Sequence, residues 1–380
     1  MRELRTVRCD GSPRAAVELG AAVAAAVTGI GPPVLPLAAE DTVAPPAAEP
    51  AETTAVVVRT SGSTGGAKHV ELSAGALLAS AQATATRLGG PARWLLALPA
   101  EHVAGVQVLV RALLAGAPAE VLDLRAGFHP ERFAAAAARL GPGRRYTSLV
   151  PTQLVRLLDA AGPGLVALRG FAAVLVGGAA LDAGLRRRAE AAGVRLTATY
   201  GMSETAGGCV YDGIPLPGVT VDLDADGRIL LGGAMLASGY LGCAAETAAA
   251  FAGGRFRTDD LGRWRDDRLE VLGRADDVII TGGEKVSPTA VERALAEQPG
   301  VRAVCVVGVP DREWGHVVAA ALVADPARPP DHGGLRQAVR AALGRPAVPR
   351  WLLELPELPV RGIGKPDRAA VLHLLLTRCD

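Results

Sequence analysis

At 380 residues, of which 49% are apolar and 21% charged, the chain is long enough for a large domain and a smaller one, each with its own core. Its 40 basic and 39 acidic side chains leave a formal net charge of +1, which excludes the electrostatic footprint of a nucleic-acid binder or of a protein drawn to an anionic membrane, and favours a small-molecule partner. No run reaches the ~18 apolar residues of a spanning helix, and the arginines near the start lead into no apolar segment with a cleavage site, so a cytoplasmic protein without membrane insertion is expected.

In chain order, residues 30–50 are rich in Pro and Ala and read as a loop or loosely packed connection. From about residue 55 to 200, short apolar runs alternate with longer helical stretches. Residues 55–59, 94–99, 119–124, 146–150, 172–178 and 195–201 read as buried strands, and 103–115, 130–140, 151–160 and 182–192 as helices. The expectation is an α/β domain with a mostly parallel sheet, whose ligands would bind at the carboxyl ends of the strands. Residues 213–272 change character: short strands separated by Gly and Asp turns predict a small β-subdomain. From about Arg274 a smaller α+β unit follows, with a helix at 288–298, strands at 301–309 and 316–324, a helix at 333–343 and a last helix after Pro366. The expected division is therefore 1–273 and 274–380, with the boundary in the Gly-Arg-Ala-Asp-Asp stretch at 273–277.

The five cysteines, Cys9, Cys209, Cys243, Cys305 and Cys379, are odd in number and scattered, so neither a disulfide framework nor a zinc site is suggested. The lysines are more telling. Only Lys68, Lys285 and Lys365 occur among 40 basic residues; where arginine serves almost everywhere else, a surviving lysine marks a place that needs a compact, flexible ammonium. Each lies in a glycine-bearing segment. In RTSGSTGGAK (59–68), glycines let backbone N–H groups approach phosphate oxygens, hydroxyls add donors and the lysine adds a point charge. It is not a Walker P-loop, because Ala67 and His69 flank the lysine where that motif has Gly and Ser or Thr.

The segment TSGSTGGAK resembles the phosphate-binding loop of the adenylate-forming acyl-CoA synthetase superfamily, and four further segments resemble that family's motifs in the same order. These are TYGMSET (199–205), RTDDLGRW (257–264), GRADDVIITGGEKVSP (273–288) and LPVRGIGKPDR (358–368). Within the family, LPAEHVAGVQVLVRAL (98–113) and SLVPTQL (148–154) are similar to the o-succinylbenzoate:CoA ligases of menaquinone biosynthesis. Ala67 departs from the usual proline, Asp259 from glycine, and Glu101 from an aromatic or histidine. With its phosphate loop near residue 60, the chain is expected to be an N-terminally shortened form.

The resemblance implies a mobile C-terminal domain and ATP, Mg2+, coenzyme A and a small carboxylic acid as partners; a homodimer is left open. It implies that Thr60, Ser61, Gly62, Ser63, Thr64, Gly65 and Lys68 hold phosphates, that Glu204 binds magnesium and that Thr205 touches the α-phosphate. Gly177, Gly178 and Tyr200 would wall the adenine, Thr199, Gly201 and Met202 would also belong to the cofactor site, and Asp260 and Arg274 would hold the ribose. Lys365 would be the catalytic lysine, Asp276 the hinge, and Gly282, Gly283 and Lys285 the pantetheine loop. His102, Arg111 and Gly201 would meet the acid, His102 near the acyl carbonyl and Arg111 at a second carboxylate. Two alternatives stand beside this reading: a ligase for another aryl or fatty acid, or for a carrier-protein thiol, and a non-catalytic paralogue that binds nucleotide or acyl-adenylate.

Overall fold

The computed structural model describes residues 3–42, 44–60, 67–361 and 365–378. The chain forms two compact units: residues 1–181, 188–222 and 230–258 make the first, and 182–187, 223–229 and 259–380 the second.

The first unit begins with a segment whose structure differs from expectation. Strand β1 (Arg5–Cys9), helix α1 (Pro13–Val27) and strand β2 (Val34–Ala38) form a parallel β-α-β unit in which β2 registers Val7 against Pro36. Residues 34–38 lie inside the stretch read as a loop, and Pro36 explains the misreading. Its missing N–H argues against a central strand, but the ladder from β2 to β3 (Thr54–Thr60) is confined to Val34 and Val56, so proline sits where few bonds are required. The apolar run decides instead, with Leu35 and Leu37 buried against Val57 and Leu241. Helix α1 starts at Ser12, whose hydroxyl accepts from the Ala15 N–H, with Pro13 in its first turn, a favoured pairing of cap and fixed φ.

Strand β3 turns back into β4 (Lys68–Ser73) as an antiparallel hairpin, and the strand Gly239–Tyr240 adds beyond β4, giving the order β1-β2-β3-β4-(239–240). Ser73 caps helix α2 (Ala74–Leu88), which ends at Gly89 with φ 85°, a left-handed cap that glycine adopts without steric cost.

The second sheet of this unit follows the expected alternation. Strands β5 (Arg93–Leu96), β6 (Glu120–Val121), β7 (Arg145–Leu149), β8 (Ala173–Val176) and β9 (Leu196–Met202) are parallel. Helices α3 (Val103–Leu114), α4 (Pro130–Arg139), α5 (Pro151–Ala160), α6 (Pro163–Arg169) and α7 (Ala183–Ala191) fall between them in sequence. Strands β10 (Gly207–Tyr211) and β11 (Ile214–Pro215) then extend the sheet antiparallel past β9. The buried faces are near-continuous apolar runs, as in Ala173–Val176, the signature of strands covered on both sides.

In the second unit, the long hairpin of Val301–Asp311 with Gly315–Ala324 is the spine. Alternation along it separates two cores. Val306, Val318, Ala320 and Leu322 pack with Val291 and Leu295 of helix Pro288–Ala296 and with Leu335 and Val339 of helix His332–Leu343. Cys305, Val307, Val309, Val317, Ala319 and Ala321 pack instead with Val371 and Leu375 of helix Arg368–Arg378. These elements match the expected helices and strands of the C-terminal part closely.

Candidate active site

In the first unit, the hydroxyl- and glycine-rich segment lies in sequence between β3, which ends at Thr60, and β4, which begins at Lys68. Thr60 and Lys68 face each other in register, and the Thr60 hydroxyl donates to the Lys68 carbonyl at 3.3 Å. The ladder thus holds the two residues that flank the segment; Ser61, Gly62, Ser63, Thr64 and Gly65 lie outside the described residues. Next to Thr60, Arg59 pairs with Asp41.

Lys68 is a diagonal neighbour of Tyr240 across the antiparallel pair, since Tyr240 registers with Val70 two residues along, a separation long side chains can span. The Lys68 ammonium lies 4.5 Å from the centroid of the Tyr240 ring. The hydroxyl of the same ring donates to Glu204 Oε1 at 3.1 Å. Glu204 sits in a single 3-10 turn, Ser203–Thr205, between β9 and β10, and its carbonyl accepts from the Ala237 N–H at 2.8 Å. The structure therefore brings the candidate phosphate lysine and the candidate magnesium ligand, 136 positions apart in sequence, onto one aromatic ring. Among the described residues no group of three or more His, Cys, Asp or Glu could form an all-protein metal cage. A single carboxylate such as Glu204 fits magnesium arriving on phosphates, which usually keeps one or two protein carboxylates.

Gly177 and Gly178 directly follow β8, and Thr199 to Met202 end the neighbouring parallel strand β9. These candidates thus share the carboxyl edge of the sheet, where ligands of open α/β sheets bind. The glycines are required by close approach: a Cβ on Gly177 would meet the Thr199 hydroxyl at 2.3 Å, and one on Gly201 would meet the Gly207 carbonyl at 2.1 Å.

Two expected ligands have other work. Thr205 is fully buried; its hydroxyl accepts from the Met202 N–H at 2.9 Å and donates to the Gly207 carbonyl at 2.7 Å. It closes the turn that presents Glu204. Arg111, on the inner face of α3, is also buried, with its guanidinium 5.2 Å from the Trp94 ring and donating to the Tyr211 hydroxyl at 3.3 Å. The helical period turns it toward the core. His102 occupies the N-cap position of α3 without a side-chain capping bond and is half-buried. Gly105 lets that first turn press against the preceding loop, since a Cβ there would lie 2.2 Å from the Pro99 carbonyl.

The second unit carries the remaining candidates. Asp260 registers with Arg274 across strands Arg255–Arg265 and Arg268–Arg274. Arg274 is gripped by Asp276 through two bonds of 2.7 and 2.8 Å, and donates to Asp259 at 3.3 Å. The Asp276 carboxylate, with Asp260 and Asp259 behind it, raises the guanidinium pKa against the opposing effect of burial. Asp259, which departs from the family's glycine, also accepts from Arg228 at 3.1 Å. Gly282, Gly283 and Lys285 lie on and beside an exposed two-stranded turn, with the Gly282 N–H donating to the Trp314 carbonyl. The Lys365 backbone opens strand Lys365–Pro366, paired with Val360–Arg361; its side chain lies outside the described residues. Tyr240 was not among the expected site residues.

Comparison with known proteins gives the same family from several directions. The chain matches the family described as AMP-binding enzyme over residues 12–241 and the AMP-binding enzyme C-terminal domain over 290–365. It is 47% identical over 331 residues to the "Probable 2-succinylbenzoate--CoA ligase" of Mycobacterium tuberculosis, covering 86% of each chain. It is 35% identical over 315 residues to the 2-succinylbenzoate--CoA ligase of Escherichia coli, covering 80% of this chain and 65% of that one. The solved o-succinylbenzoate CoA synthetase of Bacillus subtilis, in complex with an acyl-adenylate intermediate, superposes with a TM-score of 0.72 at 26% identity, over 89% of this chain and 74% of that one. An amide bond synthetase from Marinactinospora thermotolerans gives 0.77 at 27% identity, over 98% and 90%. With its order of motifs, its parallel sheet and its two matched segments, this chain belongs to the AMP-binding enzyme family.

Proposed function

We propose that the chain is an ATP-dependent acid:CoA ligase that converts o-succinylbenzoate to o-succinylbenzoyl-CoA in menaquinone biosynthesis. The observation that carries this reading is the 47% identity over 331 residues to a protein named for that reaction, in a chain that keeps Lys68 and Glu204 around one tyrosine ring. The reading makes the enzyme cytoplasmic, with ATP, the acid and CoA as its partners.

In the first half-reaction an oxygen of the substrate carboxylate attacks the α-phosphorus of ATP, and the bond to the bridging oxygen breaks to release pyrophosphate. In the second, the CoA sulfur attacks the acyl carbon, AMP leaves with the carboxyl oxygen, and the thiol proton passes to solvent. Chemistry of this kind is catalysed by positioning and by neutralising charge. Residues Thr60 to Gly65 and Lys68 hold the phosphates, Glu204 would hold the magnesium that neutralises their charge, Gly177, Gly178 and Tyr200 wall the adenine, and Thr199, Gly201 and Met202 complete the nucleotide site. Asp260 and Arg274 hold the ribose. Lys365 bridges the carboxylate and α-phosphate during adenylation, and His102 and Gly201 border the acid. After adenylation the C-terminal domain, residues 274–380, turns about Asp276 and brings Gly282, Gly283 and Lys285 to the pantetheine arm.

The test is acid-dependent exchange of pyrophosphate into ATP with o-succinylbenzoate, benzoate and a fatty acid, followed by thioester formation with CoA. Exchange with o-succinylbenzoate well above the other two, with CoA accepted, is the expected result. Exchange driven better by benzoate or the fatty acid would overturn the substrate, and ATP binding without any exchange would overturn the ligase.

A further inference from the structure

We propose that Tyr240 is a positioning residue for nucleotide binding, holding the magnesium carboxylate by its hydroxyl and the phosphate lysine by its ring face. The inference rests on the reading of Glu204 and Lys68 given above and adds a residue to that site. Three observations carry it.

First, one side chain touches both groups. The hydroxyl donates to Glu204 Oε1 at 3.1 Å while the ring receives the Lys68 ammonium 4.5 Å from its centroid. A cation over the face of a tyrosine is held weakly, by roughly 0.5–2 kcal/mol, enough to bias the rotamers of a long side chain and little enough to be exchanged for a phosphate. A hydrogen bond to a carboxylate occupies one of about four acceptor sites and fixes the plane of the group. The hydroxyl thereby limits the carboxylate's orientations before a metal arrives, which lowers the ordering cost of binding.

Second, Tyr240 is itself held from several sides. It is 6% exposed, its N–H donates to the Thr247 hydroxyl at 2.9 Å, and its ring meets Phe251 edge-on at 5.7 Å. Its neighbour Gly239, at φ 150°, could carry no Cβ, which would lie 2.4 Å from a Thr247 methyl.

Third, the elements it joins are those that present the two ligands. The strand Gly239–Tyr240 pairs with β4, which begins at Lys68, and residue 237 donates to the Glu204 carbonyl. A backbone bond and a side-chain bond therefore both run from this segment to Glu204.

The experiment compares wild type, Tyr240→Phe, Tyr240→Leu, Glu204→Gln and the double variant Tyr240→Phe/Glu204→Gln. Thermal melts accompany calorimetric titration of ATP with magnesium and of ATP in EDTA, and pyrophosphate exchange is measured against free magnesium. Tyr240→Phe keeps the ring and removes only the donor. The expected result is a roughly tenfold weaker binding of MgATP, an unchanged affinity for ATP in EDTA, and a matching rise in the magnesium needed for half-maximal exchange. Tyr240→Leu removes the ring face as well and should also weaken ATP in EDTA. In the Glu204→Gln background, Tyr240→Phe should have no further magnesium-dependent effect. If Glu204→Gln shifts the magnesium dependence and Tyr240→Phe does not, the inference is overturned while the site reading stands. If Glu204→Gln leaves that dependence unchanged, the metal assignment falls and the inference falls with it. If Tyr240→Phe weakens both forms of ATP equally, or acts equally in the presence and absence of the Glu204 carboxylate, its role is packing alone.

Discussion

Replacing Arg368 with methionine tests how the segment that carries Lys365, the lysine proposed for adenylation, is anchored within the second unit. Arg368 opens the last helix three residues after Lys365 and clasps Glu292 of the helix Pro288–Ala296 with two bonds, of 2.6 and 3.1 Å; it also bonds to the Val306 carbonyl and lies 3.3 Å from Asp277. Methionine keeps most of the aliphatic stem, so the loss is mainly polar. The Glu292 side chain is only 18% exposed; stripped of two charge-assisted donors, it keeps the Val306 N–H at 2.8 Å. Breaking a fully buried pair costs about 3–5 kcal/mol, and this one is reduced because the Arg368 side chain remains 30% exposed. The Asp277 contact, half-buried at both ends, adds no more than about 1 kcal/mol. The sum is about 2–4 kcal/mol, or a fall of roughly 6–12 °C in the melting of this unit. Three of the four tryptophans, Trp264, Trp314 and Trp351, lie in the second unit, so tryptophan fluorescence during urea unfolding reports on it directly. Below the melting temperature, exchange should also slow by roughly 10- to 100-fold, since a displacement of about 1 Å is costly when a catalytic ammonium is misplaced. The double variant Arg368→Met/Glu292→Met should recover most of the stability, because no buried charge is left alone. A single-variant loss below about 1 kcal/mol, or no recovery in the double, would refute the clasp.

Lys365→Ala should lose pyrophosphate exchange by roughly 10²–10³ while still turning a pre-formed acyl-adenylate over with CoA; equal loss of both half-reactions would remove Lys365 from adenylation. Gly177→Ala drives a methyl into the Thr199 hydroxyl and should cost about 1–3 kcal/mol of stability, most of it recovered in Gly177→Ala/Thr199→Ala, as urea titrations would reveal. Glu101 has its pKa raised, chiefly by burial and secondarily by Glu40, so the folded state binds its proton more tightly than the unfolded chain. Ionising it therefore lowers stability as pH rises above the ordinary glutamate range. Glu101→Gln should melt above wild type at pH 7–8, with the difference vanishing below pH 4, and a pH-independent difference would exclude this origin. Burial pushes the thiols of Cys9, Cys209 and Cys305 up to about 12, whereas Cys243 is only half-buried. Peptide mapping after mild alkylation should find Cys243 modified and those three spared.

The parallel sheet and the C-terminal hairpin with its helices were legible because their signals are local. A run such as Ala173–Val176 is apolar throughout because both its faces are covered, and α3 spans the expected stretch almost residue for residue. The strand β2 was hidden by Pro36, whose local message conflicts with a burial that depends on Val57 and Leu241 elsewhere. Arg111 and Thr205 show a different limit. A polar residue in a motif reads as a ligand, yet whether it faces a ligand or its own turn depends on the helical phase of one and a buried bond to the Gly207 carbonyl in the other.

Tyr240 gave the weakest local signal and yet touches both Lys68 and Glu204. It stands in an ordinary Gly-Tyr pair, 172 residues after Lys68 and 36 after Glu204, and only the addition of Gly239–Tyr240 to β4 brings all three together. Motifs mark groups whose chemistry is visible in their type, such as a lone lysine in an arginine-rich chain. The residue that fixes the distance between two such groups has no chemical mark of its own, because a buried tyrosine is ordinary core material. What distinguishes it is a pair of contacts, one cationic and one anionic, on opposite parts of the same side chain. If Lys68 and Glu204 serve a polyanion and its metal as proposed, these opposite charges must be kept in register before the ligand arrives, and a rigid ring held by strand pairing does this at a smaller entropy cost than a second flexible side chain.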